Sequence, residues 1–453
     1  RGELLGEPWV GITNGYSRLA KDNAQPGPAL THSIAGSNTP TVGIVHWAYG
    51  QEDTAGAGLV QSNLGLVTYD DAGATDNGFR LLRTNEYNYG TFGLGGNVWA
   101  TNGANFTTGG TITLTTNVVI QGLVYQKLNT NGVATTLQLG ANQLTIESGA
   151  LLAMGGGGSS SHQITRQTSG GVSGGLTFGN ASNGYEAVIH TAIRLDVYAP
   201  IRDNIDSLGN TNKVTLVKSG PSELVMRADG GGLSTYSGDT YVNAGTLRVE
   251  GSNSVSFSSL SVIPTNTFLH INNRDATFDM WNSGQVLGGL DGWGRVLASG
   301  SGGSIGTNAL VVNYTNTSVI DRFDGWIQDG NSSAGRYLDV VKRGLGTLEF
   351  TTVGRTNLYR GDTIIEGGTL LMNGTHISLS NTTDYIVRNG GTLGGTGLVR
   401  IGGTFTFEDG ATLAPGNSPG TFTMDGDATF GSNAVLAFEL NGADTTVGGG
   451  IND

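Results

Sequence analysis

Two acidic pairs, Glu52-Asp53 and Asp70-Asp71, are the first places to look for chemistry in this chain. Carboxylates brought together on adjacent rungs of a sheet can cleave a glycosidic bond, one protonating the leaving oxygen while the other attacks or activates water. Both pairs sit in loop-rich sequence. There Asp more commonly accepts hydrogen bonds from backbone N–H groups, and that plainer role is preferred. The six histidines, His32, His46, His162, His190, His270 and His376, form neither an HExxH motif nor a close pair. Zinc needs three or four converging ligands. A nucleophilic serine is expected on a Gly-x-Ser-x-Gly elbow, whereas Gly155–His162 and Gly300–Gly303 read as Gly/Ser loops. The Gly-Gly-x-Gly-x-Asp calcium nonapeptide is missing as well. The sequence therefore assigns no catalytic, cofactor or metal residue, and the chain is expected not to be an enzyme.

A second kind of chemistry is recognition by aromatic rings. Trp9, Trp47 and Trp99 stand in the N-terminal region with Tyr49, Tyr69, Tyr87 and Tyr89 near them. Exposed, such rings stack on sugars or build a protein interface; buried, they cap a core. Trp9, Trp47, Trp99, Tyr49, Tyr87 and Tyr89 are the interaction candidates, with both readings open.

The elements that must position these residues are short strands. Runs such as Thr111–Leu114, Thr136–Leu139, Gln143–Ile146, Lys213–Val217, Thr246–Val249, Thr363–Glu366, Thr369–Met372 and Thr421–Met424 are four or five residues long and bounded by Gly, Asn, Asp or Ser. That is strand-then-turn punctuation. The best helical candidate, Glu186–Tyr198, reads equally well as two short strands. Such strands suit a wound coil in which each rung pairs with the rungs above and below it.

Composition agrees. The 453 residues include 77 glycines and no cysteine, which removes disulfides and thiolate metal sites. Charged residues make up only 13% of the chain, and 23 basic against 36 acidic side chains leave a net charge of −13. Solubility must come from Ser, Thr, Asn and Gly. Nucleic acid and anionic membrane surfaces both demand a basic face, so neither is an expected partner. No apolar run reaches the length of a membrane helix. The first residue is Arg1 rather than Met, which reads as a mature or trimmed chain.

An internal repeat is the sharpest signal. Val217-Lys218-Ser219-Gly220, Ser222-Glu223-Leu224, Tyr236-Ser237-Gly238-Asp239-Thr240 and Asn243-Ala244-Gly245-Thr246-Leu247 are followed, in the same order, by Val341-Lys342-Arg343-Gly344, Gly346-Thr347-Leu348, Tyr359-Arg360-Gly361-Asp362-Thr363 and Glu366-Gly367-Gly368-Thr369-Leu370. Lys218 and Lys342 lie 124 residues apart, Tyr236 and Tyr359 123. Self-similarity of this kind is the mark of a stacked architecture. Lys218, Tyr236, Gly245 and Leu247, and Lys342, Tyr359, Gly368 and Leu370, are the expected scaffold positions. Leu247 and Leu370 should be buried on equivalent rungs.

These blocks resemble the passenger-associated repeat of bacterial autotransporters, found also in giant surface proteins of Gram-negative lineages. Its pattern runs from a Leu/Val-Lys-x-Gly-x-Gly-x-Leu stretch, through an Asn-x-Tyr-x-Gly-x-Thr turn, to an Asn-x-Gly-Thr-Leu strand. Pro221 and Ser222 depart from the Gly-x-Gly stretch of the first copy. Asn282–Val296, Phe323–Gly330 and Leu413–Gly420 are similar to the rungs that flank such repeats, so the resemblance covers about residues 110–453. It implies a right-handed parallel β-helix exported to the surface of a Gram-negative-type cell, and it implies no activity, since the repeat is scaffold.

The expectation is an all-β protein: residues 1–110 as an N-terminal cap or interaction region, and 111–453 as a parallel β-helix with repeat blocks near 213–250 and 338–373. Its expected function is that of an extracellular structural or adhesive protein, a stalk or filament subunit. The alternative is a β-helix enzyme acting on polysaccharide, as lyase or glycoside hydrolase. Expected partners are the chain itself, head-to-tail or laterally in a homopolymer, neighbouring surface proteins and glycans. Neither cofactor nor metal is expected.

Overall fold

The computed structural model describes residues 10–12, 44–45, 49–52, 64–70, 78–93, 95–101, 110–127, 135–155, 162–166, 174–228, 233–251, 261–281, 283–300, 307–330, 337–378, 380, 382–416 and 420–438. They form two compact units, 1–247 and 248–453.

In the first unit the chain visits three walls in rotation. One wall stacks Asn97–Thr101, Gly122–Lys127, Ala150–Gly155, Glu186–Thr191, Thr215–Ser219 and Thr240–Val242, each parallel to the next. A second stacks Thr111–Thr113, Thr135–Gln138, His162–Thr165, Leu195–Val197 and Glu223–Arg227. A third stacks Val118–Ile120, Gln143–Ile146 and Gly175–Phe178. This is a parallel β-helix. The Glu186–Tyr198 segment resolves into two strands on different walls, because the turn at Ala192–Arg194 changes the direction of the chain.

The second unit repeats the plan. One wall carries Phe268–Ile271, Gly289–Gly292, Ile320–Phe323, Thr347–Phe350, Gly368–Met372, Gly391–Gly395, Thr412–Pro415 and Val435–Leu436. Another carries Gln285–Leu287, Thr307–Asn313, Tyr337–Arg343, Thr363–Ile365, Tyr385–Val387 and Leu398–Phe407. The shortest holds Thr277–Asp279, Arg295–Ala298 and Trp326–Asp329.

Strand alternation builds the core. In Thr347–Phe350 the side chains of Leu348 and Phe350 are buried while their neighbours are half-exposed. Register then stacks like on like: Leu348, Leu370, Leu393 and Leu413 stand opposite one another on four successive rungs. Each fully buried leucine contributes about 2 kcal/mol by removal from water. Leu247 and Leu370 are both wholly buried, as the repeat requires.

Within residues 1–110, Asn97–Thr101 already belongs to the parallel wall, but three earlier strands differ from this plan. Tyr49–Glu52, Leu64–Asp70 and Gly78–Leu81 pair antiparallel. Their apolar side chains, among them Leu64, Leu66 and Tyr49, pack with Val124, Leu152, Met154 and Val188. That contact explains why Ala150–Gly155 is buried at every position rather than at alternate ones: one face looks into the coil and the other is covered from outside.

Candidate functional site

The strongest constellation is built twice, once in each unit. Lys218 lies on the Thr215–Ser219 strand with its side chain wholly buried. Its Nζ donates to the carbonyl oxygens of Ser219 (2.7 Å), Gly220 (2.8 Å) and Ala244 (2.9 Å). Lys342, equally buried, donates to those of Arg343 (2.7 Å), Gly344 (2.8 Å) and Gly367 (3.2 Å). An ammonium has three protons, and here each meets a carbonyl that a turn has taken out of the ladder. Two acceptors belong to the lysine's own rung and one to the next, so the side chain ties successive rungs together. Burial pushes Lys218 down to about 7 against an upward pull from Glu223, and Lys342 down to about 8 against Asp321.

The rest of each cage matches. Tyr236 and Tyr359 are buried, with their hydroxyls 2.7 Å from Thr240 Oγ1 and 2.6 Å from Thr363 Oγ1. Gly245 and Gly368 turn with φ of 65° and 64°. A Cβ at either would fall 2.4–2.5 Å from two backbone carbonyl oxygens, so only glycine fits. Asn357, two positions before Tyr359, accepts the Ile327 N–H at 2.8 Å, and Ser234, two before Tyr236, accepts the Ile201 N–H at 3.2 Å.

The structure extends the repeat upstream of its matched blocks. Asp203 accepts from the N–H groups of Val214 (2.9 Å) and Ser237 (2.8 Å). Asp329 accepts from those of Leu338 (2.9 Å) and Arg360 (2.8 Å), the equivalent positions. In the second unit a series of carboxylates continues the theme: Asp339 caps the Asp362 N–H, Asp362 the Asp384 N–H, and Asp384 the Thr404 N–H. Burial raises Asp339 to about 7, with further upward pushes from Asp362 and Asp329. The signal for this series was the Asp after Tyr-x-Gly, followed by another Asp 22 residues on.

The described candidates for chemistry lie on separate strands. Glu52 and Asp70 lie on strands of the antiparallel group, while Asp53 and Asp71 fall outside the described residues. So do His32 and His46. His162 bonds the Met154 carbonyl, His190 approaches Ser219 Oγ, His270 meets Asp291 Oδ1 at 2.7 Å, and His376 sits between Tyr385 OH and the Tyr359 carbonyl. Burial lowers His190 to about 3 and His376 to about 4. Among the described residues no three His, Asp or Glu side chains are placed to hold a metal ion.

The aromatic candidates divide. Tyr49 is buried, donating from its hydroxyl to the Val188 carbonyl at 2.9 Å, and Tyr87 is buried, accepting from the Leu66 N–H at 3.1 Å. Trp99 meets Tyr87 edge-on, stacks with Tyr89 at 5.9 Å and donates to Gln126 Oε1. Tyr89, about half exposed, is the open member. Trp9 and Trp47 lie outside the described residues.

A family model described as the passenger-associated-transport-repeat matches residues 216–249 and 340–372. The chain carries two passenger-associated transport repeats. All eight scaffold positions fall inside them, and the paired lysine cages are their structural content. An extracellular serine protease of Serratia marcescens is 35% identical over 118 residues, which is 26% of this chain and 10% of that protein. The chain thus spans about a tenth of that relative's length. No solved structure matches. The two matched segments leave the activity of the chain undecided.

Proposed function

We propose that this chain is the stacked, load-transmitting part of an exported passenger, a structural or adhesive element at the outer surface of a Gram-negative-type cell. The observation that supports it is the doubled lysine cage. In both copies the ammonium is consumed by backbone carbonyls, the tyrosine by a threonine, and the carboxylate by backbone N–H groups. A repeat whose buried lysine, tyrosine and aspartate all bond to its own rungs is built to hold shape. The name of the Serratia marcescens relative is in keeping with an extracellular setting. On this reading the chain itself is non-catalytic, and its partners are further copies or neighbouring surface proteins.

Two measurements test this. A non-permeant biotin reagent should label the chain on intact cells, and label appearing only after lysis overturns the surface assignment. The purified chain should leave casein and a polysaccharide panel unchanged; turnover that tracks the protein through purification overturns the non-catalytic one.

A further inference from the structure

The third wall of the first unit holds a feature the stalk does not need. Val119, Thr145 and Thr177 stand opposite one another on its three strands, on the side away from the core. The residues alternating with them, such as Leu144 and Ile146, are buried. The fourth rung pairs only through the Leu176–Ile201 bridge. The chain then leaves the wall as the antiparallel pair Asn204–Ile205 with Thr211–Asn212. This departure, and a turn at 180–184, raise two walls around the strand surface. The result is a trough of about 680 Å³, within the size range of small-ligand sites.

Both walls are fixed before any ligand arrives. Asn180 Oδ1 accepts the N–H groups of Ser182 (3.0 Å) and Asn183 (2.9 Å), and Asn183 Nδ2 donates to the Glu147 carbonyl at 3.1 Å. Asp206 holds the other turn through the N–H groups of Leu208 and Asn210. Asn204 Nδ2 donates to the Gly179 carbonyl at 2.8 Å and so joins the bases of the two walls. Arg202 reaches back across Gly175 to Gln143 Oε1 at 3.3 Å. A Cβ at Gly175 would lie 2.8 Å from the guanidinium, so glycine clears the path. Preorganisation of this kind lowers the entropic cost of binding.

The lining sets the ligand class. Glu147, Tyr185 and Thr145 direct no side-chain hydrogen bond to another described residue. Beside them lie the planar groups of Gln143 and Arg202. Carboxylate, guanidinium and amide groups can each engage two neighbouring hydroxyls, and an aromatic ring offers an apolar surface to a sugar's C–H face. Arg202 is the one cation in the lining, against Glu147, Asp203 and Asp206, which is the wrong balance for a polyanion. Val119 and Ile205 add exposed apolar surface among these polar groups, a mixture that suits the alternating C–H and hydroxyl faces of a sugar.

We infer that this trough is a binding site for a neutral oligosaccharide. The assignment goes beyond the structural reading of the chain, and its test is independent of where the chain resides. Isothermal titration of the purified chain with gluco-, manno-, galacto- and N-acetylglucosamine hexasaccharides, alongside hexagalacturonate, should show one neutral series binding at a single site. Glu147→Gln and Tyr185→Ala should each weaken it by about tenfold or more, with unchanged circular dichroism. Tyr185→Phe, which keeps the ring, should retain most of the affinity, and Leu345→Ser, an exposed position in the other unit, all of it. Absence of binding by every neutral series at about 10 mM, binding by the acidic oligomer alone, or affinity indifferent to both trough substitutions overturns the assignment.

Discussion

Replacing Lys218 with methionine sets two opposed terms against each other, and pH decides between them. The variant takes the donor away from three carbonyls. Ser219 O keeps a weak second partner in Thr191 Oγ1 at 3.5 Å, so the loss falls on Gly220 O and Ala244 O. At about 1–3 kcal/mol for each buried acceptor left bare, that is about 2–6 kcal/mol. In return the variant no longer buries a cation. A folded value near 7 against an ordinary 10.5 corresponds to about 5 kcal/mol. The unfolded chain binds more protons than the folded one between those values, so this cost is fully present below pH 7 and fades as pH rises to 10.5. The two terms should roughly offset at pH 6. By pH 10 the wild type should be the more stable by about 2–6 kcal/mol. Guanidinium unfolding of both proteins from pH 6 to pH 10 gives the difference, from which titration of the shared tyrosines cancels. A difference that stays constant or shrinks with rising pH refutes the cage argument.

Leu370→Ala should cost about 2–5 kcal/mol by leaving a gap in the leucine column, while Leu371→Ser, half-exposed on the same strand, should cost under about 1 kcal/mol; thermal unfolding compares them. Gly368→Ala should lose more than about 2 kcal/mol through contact with the Gly344 and Gly346 carbonyls, whereas Gly390→Ala, at φ 80° with open space around it, should lose only about 1–2 kcal/mol; equal effects would mean that backbone conformation alone matters. Asp339, raised to about 7, gives stability that is fully present below about pH 4 and lost as pH rises through 7. Wild type should therefore gain up to about 4 kcal/mol over Asp339→Asn on acidification from pH 8 to pH 4, read from urea midpoints.

The stacked architecture was legible because a parallel wall repeats the same demands at every rung. Thr-Leu strands, glycine turns and the Lys–Tyr–Gly–Leu order recur at a spacing that chance does not produce. The cage itself was harder to see. A lysine beside a turn ordinarily reads as a solvated side chain, and nothing in Val217-Lys218-Ser219 announces that three carbonyls wait 1, 2 and 26 residues onward. Asp203 and Asp329 were invisible as a pair, because the first N–H each accepts lies 11 residues on from one and 9 from the other and no neighbouring identities align them. The aromatic set showed the limit of composition: it counts Tyr49, Tyr87 and Tyr89 alike, although two are buried with bonded hydroxyls and one is open. The trough could not be read at all, since its walls are loops whose meeting depends on Asn204 reaching Gly179.

A column of identical leucines has no memory of which rung is which. Leu370 could face Leu413 as comfortably as Leu393, and a coil that skipped a rung would lose little apolar contact. The buried lysines remove that freedom. Lys342 takes its third carbonyl from Gly367, one rung on; displaced by a rung, its ammonium would have to give up that partner while still buried, a costly state for a charge. In an otherwise monotonous stack the two cages act as index marks, fixing the count of the winding at two places while the leucines between them supply only adhesion.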